Sequence, residues 1–512
     1  MKETDNTQKR EYTGPEIVFA WMSFLFGYMF CKAFPAHLNP LGAFLLVLFA
    51  FSSVTVVLKV KRVKPGTVPV IAALSAVVVS ATLILNSNYM MQSLSNTYAM
   101  VTFCYFIYAA NGNAIKRGFN DFIIIDYFRS LFVAPFLKVG KILQGMFTGI
   151  NKKSGAVLYN LLKGGCIALI PTLLVCALLS YDQDFSRTIE TIGSFLDFDA
   201  GKIIGNIWAI GLGIIVGQYV FSLFLASADR AVREMTEEEC MSKMKGIQKA
   251  HVVTTIAAVL PVLLVYLVFF ISQWKYYVSA FSGRLPSGIS YADYAREGFF
   301  QLCIVSFINM IIIVLVQLFM DMEKQMAVKV KGAVVIIYAA CTLILIATAM
   351  SKMLLYINSY GLTRKRLYSS WFMIALAILF VVAVIKQFYK KLNAVAVSFA
   401  LAVIMFAALA LPNADGLIAK YNVDMYLEGS LKTVDVRALE EMGDAAVPEM
   451  VRLLEELEER ERVSDEKLIA EIRWRLMDVA QEYRNFDRQL MSCTLPYHRA
   501  EKALKRAGIT HP

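Results

Sequence analysis

The sequence predicts an all-α, polytopic membrane protein of about eleven transmembrane helices, closed by a small C-terminal helical domain. Three observations carry that prediction. Of the 512 residues, 58% are hydrophobic and only 18% are charged, where a soluble chain carries about 25% charge. Apolar segments of span length recur along the first 411 residues. From Pro412 onward the chain turns acidic, with 15 Lys+Arg against 20 Asp+Glu, while the 411 residues before it carry 36 against 20.

The opening stretch MKETDNTQKREYTGPE is polar, mixed in charge and without a small-residue cleavage pattern, so the first apolar segment reads as a retained span. Crossing the hydrocarbon takes about 20 apolar residues, and every backbone group there must be paired, which demands helix. Segments that fit lie at 16–33, 41–58, 68–85, 93–110, 161–180, 203–226, 252–272, 299–320, 333–350, 370–386 and 393–411. The stretch 122–136 (FIIIDYFRSLFVAPF) is apolar but short. Its Asp126 and Arg129, three residues apart, share a helix face, so it reads as an amphipathic helix lying in the interface. A bundle over 1–411 and an extramembrane domain over 412–512 follow.

Lysines and arginines set the orientation. With the N-terminus inside, the inner loops carry 25 and the outer loops 9, which places the N-terminus inside and the C-terminus outside. A basic membrane body faces anionic lipid, and the lipid bilayer is the expected partner; nothing points to nucleic acid. Ala72, Ala76 and Ser80 repeat at four-residue spacing, and Gly213 with Gly217 forms a GxxxG pair. Such stripes serve packing within one bundle or, alternatively, a homodimer through Gly213/Gly217.

In the tail, Asp435 is positioned to cap a first short helix and Gly443 to end it, with Asp444 capping a second and Pro448 in its first turn. Leu439 and Met442 lie on one stripe, as do Met450, Leu453, Leu454 and Leu457. Ser464 opens a third helix with Leu468, Ile472, Leu476 and Val479 inward, and a fourth covers 497–507. The pattern resembles a pair of helical repeats, which bind protein or lipid and perform no chemistry. A protein partner through 412–512 is therefore expected.

Three polar stretches flank the spans. In SYADYAREGFF (290–300), Ser290 and Asp293 form a capping box, and Tyr291, Asp293, Tyr294, Arg296 and Glu297 gather at the membrane face. In YGLTRKRLY (360–368), Gly361 suits a helix end and Thr363 a cap. Arg364, Lys365 and Arg366 then fall in a first turn, where the helix dipole disfavours cations by about 0.3–1 kcal/mol each. They need an anion: lipid phosphate, or carboxylates such as Asp293, Glu297 and Asp424. NADGLIAKYNVDMYLEG (413–429) joins the last span to the tail and carries Asn422 and Asp424. One cluster that docks the tail on the membrane body is the expectation.

Taken with WFM after the second block, a D–L–G-D-A-x-P stretch after the third and YRNFDRQL (483–490), these blocks resemble an uncharacterised bacterial multi-pass membrane family, the domain of unknown function 4173 type. The likeness runs from about residue 160 to the C-terminus and implies a multi-pass protein of the bacterial cytoplasmic membrane, with no activity to carry over.

Chemical motifs are absent. His37, His251, His498 and His511 are scattered, the eight cysteines form no CxxC, and no P-loop, G-x-S-x-G or kinase motif occurs. No catalytic residue, metal site or cofactor is expected. The sequence is best read as an envelope-associated scaffold or signalling component. The alternative is a small-solute or ion transporter, for which Pro171 and Gly205, Gly211, Gly213 and Gly217 could thin or break helices. A membrane-embedded enzyme fits less well.

Overall fold

The computed structural model describes residues 12–33, 39–147, 200–272, 299–321, 325–460, 465–485 and 493–509, with five single positions between 164 and 179. Among these residues there is no strand, and the helices form two membrane bundles and one small domain.

The first bundle holds α1 (Gly14–Ala33), α2 (Pro40–Val60), α3 (Thr67–Ser80), α4 (Thr82–Leu85), α5 (Tyr89–Ala110), α6 (Ile123–Phe132), α7 (Ile142–Phe147) and α8 (Ala200–Ala228). Local chemistry starts these helices. The Asn39 side chain accepts from the Gly42 amide with Pro40 in the first turn of α2, and Asn88 accepts from the Met90 and Met91 amides at the start of α5. Their apolar sides meet in one core, where Phe19 packs on Phe224 with ring centroids 4.3 Å apart.

α1 and α8 cross backbone to backbone. A Cβ on Gly27 would sit 2.0 Å from the Gly213 carbonyl oxygen, and one on Gly217 would sit 2.7 Å from that of Ser23. Only hydrogen fits there, which is how small residues let membrane helices approach. Gly213 and Gly217 thus meet α1 of the same chain, and a homodimer through them would have to displace it.

The second bundle comprises α10 (Val252–Ser272), α11 (Phe299–Phe319), α12 (Gln325–Tyr360) and α13 (Arg364–Phe388), preceded by the surface helix α9 (Glu237–Ile247). A buried polar knot ties three of its helices together. Tyr266 Oη donates to Asn309 Oδ1, Asn309 Nδ2 donates to Thr342 Oγ1 at 2.7 Å, and Tyr338 Oη donates to the Val259 carbonyl at 2.9 Å. Polar groups paired in this way hold helices together where lipid gives no hydrophobic drive. α14 (Ala394–Ala410) bridges the bundles, with Phe399 against Tyr127 on one side and the Met405 carbonyl accepting from the Trp371 indole on the other.

Pro412, which lacks an amide hydrogen, and the Asn413 cap separate α14 from α15 (Ala414–Leu427). α16 (Val436–Glu440), α17 (Val447–Glu459), α18 (Glu466–Asn485) and α19 (Leu495–Arg506) complete the C-terminal domain. Its core gathers Ile418 and Val423 of α15 with Leu439, Met442, Met450, Leu453, Leu457, Ile472 and Leu476. Asp435 caps α16 by accepting from the Ala438 amide, and Pro448 stands in the first turn of α17. Asp444 lies instead in a short 3-10 turn, Gly443–Ala445, ahead of that helix. Ser464 lies outside the described residues.

Seven described helices are long and apolar enough to cross a membrane, or eight if α14 and α15, bent by 58°, form one span. The expected count of about eleven is not reached among the described residues. Segment 161–180 lies almost wholly outside them. α5 forms, but Gln92, Ser95, Asn96 and Thr102 dilute its apolar character. In α11 the described apolar stretch, Cys303–Phe319, is short of a span.

The crossing helices give the body two distinct ends. At one end Lys61 pairs with Glu16 at 2.8 Å, Lys116 with Glu237 at 2.9 Å and Lys138 with Asp229 at 3.6 Å. There too Asp121 accepts from the Val395 amide at 3.0 Å. The opposite end joins Lys32 to Asn206 and Asn86 to the Ala410 carbonyl, and it carries the C-terminal domain. α6 stays at the basic end: at ten residues it is about 15 Å long, half the hydrocarbon thickness. Its Asp126 accepts from the Ile115 amide at 3.2 Å, and Arg129 donates to the Arg233 carbonyl.

Candidate functional site

The site lies where the C-terminal domain meets the end of the membrane body, and it is built from three helix starts. α5 begins at Tyr89, α13 at Arg364 and α15 at Ala414, and each start carries the partial positive charge of its helix dipole. Asp415, fully buried, sits in the first turn of α15. Arg364 grips it with both arms of the guanidinium, Nε to Oδ1 and Nη2 to Oδ2, each at 2.7 Å. Asn88 Nδ2 donates to Asp415 Oδ2 at 3.0 Å and to the Tyr368 hydroxyl at 3.2 Å. A lone buried carboxylate would cost several kcal/mol in desolvation. Here a planar bidentate partner, an amide and the helix dipole offset that cost.

Around the clamp, the loop between α4 and α5 is fixed by its own amides. Asn86 Oδ1 accepts from the Asn88 amide at 2.9 Å, and Gln92 Nε2 donates to the Leu83 and Asn86 carbonyls at 3.0 and 2.7 Å. A second grip lies two turns further along α15. Asn422 Oδ1 accepts from the Leu362 amide at 2.7 Å, and its Nδ2 donates to the Leu362 carbonyl at 2.8 Å. The turn it holds needs Gly361, with φ of +76° and Asn422 Oδ1 only 2.5 Å from where a Cβ would stand.

The expected cluster is met unevenly. Arg364 and Asn422 join the body to the domain. Among the described residues Arg366 pairs with no carboxylate: its Nη1 donates to the Tyr360 carbonyl at 2.9 Å and to that of Gly361, and its guanidinium lies 3.9 Å over the Tyr356 ring. It satisfies carbonyls left open at the end of α12. Asp424 pairs with Arg452 inside the C-terminal domain, beside Glu449. Tyr291, Asp293, Tyr294, Arg296 and Glu297 lie outside the described residues. Asp415, Asn88 and Tyr368 were not anticipated, although Asn86-x-Asn88 in a short loop between apolar segments and an aspartate just after Pro412 were visible signals.

Beside the clamp opens a cleft of about 570 Å³, lined by Ser87, Asn88, Gln92, Arg364, Tyr368, Glu441, Asp444 and Thr494 among others. Charge of both signs faces it. No group of three or more His, Cys, Asp or Glu could hold a metal ion among the described residues.

A second buried aspartate sits at the basic end. Burial raises the Asp126 carboxyl from 3.8 to about 7, while the Ile115 amide and Arg129 pull it back. Burial likewise pushes up the thiol of Cys240 in α9.

No curated protein and no solved structure matches the chain. One family model does, across residues 73–453, from α3 through the clamp to the middle of α17, leaving α18 and α19 beyond it. It differs in number from the 4173 type that the sequence blocks resemble, and it too has no assigned function. The chain is a multi-helix membrane protein that belongs to the family described as Domain of unknown function (DUF4153).

Proposed function

We propose that the protein is a scaffold or signalling component of the bacterial cell envelope, a multi-pass body in the cytoplasmic membrane bearing a rigidly docked helical domain on its outer face. The observation that carries this reading is the buried clamp of Arg364, Asn88 and Asp415. A domain on a loose linker binds its partners independently of the body; a clamped one transmits orientation between the two. Orientation is supported by the two ends of the body, since the basic loops lie opposite the domain and basic loops favour the cytoplasm. For a partner, α18 exposes Trp474 and Met477, at 58% and 45%, with the Arg475 guanidinium 4.7 Å over the indole. Aromatic and arginine side chains dominate protein contacts.

The test is topological first. An impermeant maleimide on intact cells labels Cys493 and spares a Lys116→Cys variant, whose position is half-exposed at the basic end. Labelling of the introduced cysteine in intact cells, with Cys493 reacting only after lysis, overturns the outward reading. A partner that co-purifies with the full chain is lost in Trp474→Glu with the fold intact.

A second reading, transport of a small solute or ion, draws on α5. Gln92, Ser95, Asn96 and Thr102 are buried inside the first bundle, and Ser95 Oγ and Asn96 Oδ1 meet no hydrogen-bond partner among the described residues. Unsatisfied polar atoms in a membrane body mark water or ion paths. Saturable uptake into proteoliposomes, lost in Asn96→Leu, would favour it; absence of flux for solutes and protons leaves the scaffold.

A further inference from the structure

α19 carries its charge on one face. At 3.6 residues per turn, His498, Arg499, Lys502, Lys505 and Arg506 fall within about a third of the helix circumference, and all five are exposed. Pro496, Tyr497, Ala500 and Leu504 are buried on the other side, with Ala500 and Leu504 in the core of the C-terminal domain. Glu501, the helix's one carboxylate, pairs with Lys505 at 2.5 Å. Arg499, Lys502 and Arg506 pair with no carboxylate among the described residues. This face runs against its domain, which from Pro412 onward holds 15 Lys+Arg against 20 Asp+Glu. A merely solvated face mixes its signs, as α18 does with exposed Lys467, Glu471, Arg473 and Asp478.

The helix also lies at the membrane end of the domain. It touches α4 of the body. Pro496 and Arg499 line a cavity of about 260 Å³ together with Pro412 and Asn413, at the break between α14 and α15, and with Leu417. Leu417 is 57% exposed, and Tyr89 and Met90 in the first turn of α5 are 58% and 53% exposed. Large apolar side chains bared around the base of the domain mark where lipid begins, which sets Arg499 at the height of the headgroups. We propose that the basic face of α19 rests on an anionic phospholipid surface around the membrane body, with lipid phosphates as the counter-ions of Arg499, Lys502 and Arg506. The face suits lipid better than protein. It has four Lys/Arg on an amphipathic helix, the density that anionic lipid attracts, and no aromatic anchor of the kind that Trp474 offers on α18. The inference goes beyond the scaffold reading: it needs no protein partner, and it holds whichever side of the membrane the domain faces.

The experiment is lysine acetylation of the full chain, read by peptide mass spectrometry, in nanodiscs of phosphatidylcholine alone or with added phosphatidylglycerol. Lys502 should react about fivefold more slowly in the anionic discs, the size of one lysine's attraction to such a surface. High salt should restore its rate, because exposed charges are screened. Lys467, exposed on α18, is the reference within the same domain and should keep its rate. Arg499→Glu with Arg506→Glu should abolish the slowing at Lys502 with the melting temperature unchanged, since both side chains are exposed. Equal rates at Lys502 in the two discs overturn the proposal. Slow reaction that is the same in both discs and indifferent to salt marks a protein contact over the face, and overturns the lipid assignment. Slowing at Lys467 as large as at Lys502 assigns the effect to the whole domain, and overturns the placement on α19.

Discussion

Asp415 and Asp126 are buried to the same degree, 0% and 1% exposed, at opposite ends of the membrane body. Asp415 has a bidentate arginine and an asparagine amide on its two oxygens. The carboxylate of Asp126 accepts from one backbone amide, and Arg129, three residues on, donates to the Arg233 carbonyl. Equal burial thus yields two behaviours. The first aspartate ties α15 to α13 and α5. The second has its carboxyl raised by burial to about 7, so a change of pH near neutrality alters its charge.

The sharpest way to break this contrast is at the clamp. Arg364→Leu leaves the Asp415 charge buried without its main partner, a loss of about 3–5 kcal/mol. Arg364→Leu with Asp415→Leu should recover most of it, because no charge is then left behind. Thermal melting of both variants decides the matter, and proteolysis at 428–435 reports whether the domain has lifted off. Equal melting of wild type and Arg364→Leu would end the clamp as a stabilising element.

Next in size is Gly361→Ala. The residue sits at φ +76°, and the added methyl would press on Asn422 Oδ1. Left-handed backbone costs about 1–2 kcal/mol for a non-glycine residue, and the contact adds to it. A fall in melting temperature is expected, with Leu362 and Asn422 exchanging faster than the core of the second bundle.

Asp126→Asn tests the other aspartate. Its folded carboxyl titrates at about 7, above the ordinary 3.8, so between those values the folded chain holds a proton that the unfolded chain has lost. Stability is therefore highest on the acid side, falls as pH rises from about 4 to about 7, and is level above that. Melting curves of the wild type between pH 5 and 7.5 should show a decline worth up to ~2 kcal/mol, and Asp126→Asn should flatten it. A decline that persists in the variant assigns the dependence to another group.

Much of this fold is legible in the sequence because its causes are local. Thr363 and Asp435 cap the helices they precede, and Pro448 sits in a first turn, all read from a few neighbouring residues. The clamp is legible only in part because its causes are distant: Arg364 lies 51 residues from Asp415, and Asn88 lies 327 away. A local rule rightly says that cations at the start of α13 need an anion, but it does not choose among carboxylates. Helix geometry could have chosen. Asp415 and Asn422 are seven residues apart and share one face of α15, the face toward α13. Asp424 lies two residues past Asn422, on the far side of that helix, where Arg452 meets it. The span count is not confirmed for an opposite reason: in α5 the Gln92 amide donates to the Asn86 carbonyl and the Thr102 hydroxyl accepts from Tyr127, so a helix need not be apolar throughout to sit in the core.

The smallest expected effect is the most discriminating of the two faces of α15. If Arg366 and Asp424 do not meet, the double-mutant cycle of Arg366→Glu and Asp424→Arg should give a coupling below about 0.5 kcal/mol, the additivity limit for independent sites. Arg366→Glu alone removes the guanidinium from the Tyr360 and Gly361 carbonyls and from the Tyr356 ring, while Asp424→Arg sets two like charges against each other at Arg452. Each single loss is modest, since both sites are partly solvated. The second should be recovered by Arg452→Glu, which restores opposite charges within the C-terminal domain. A coupling of 1 kcal/mol or more between positions 366 and 424 would mean that α15 docks through the other face. The body and the domain would then be joined by surface charge, which salt screens, and not by the buried Arg364–Asp415 pair, which it does not.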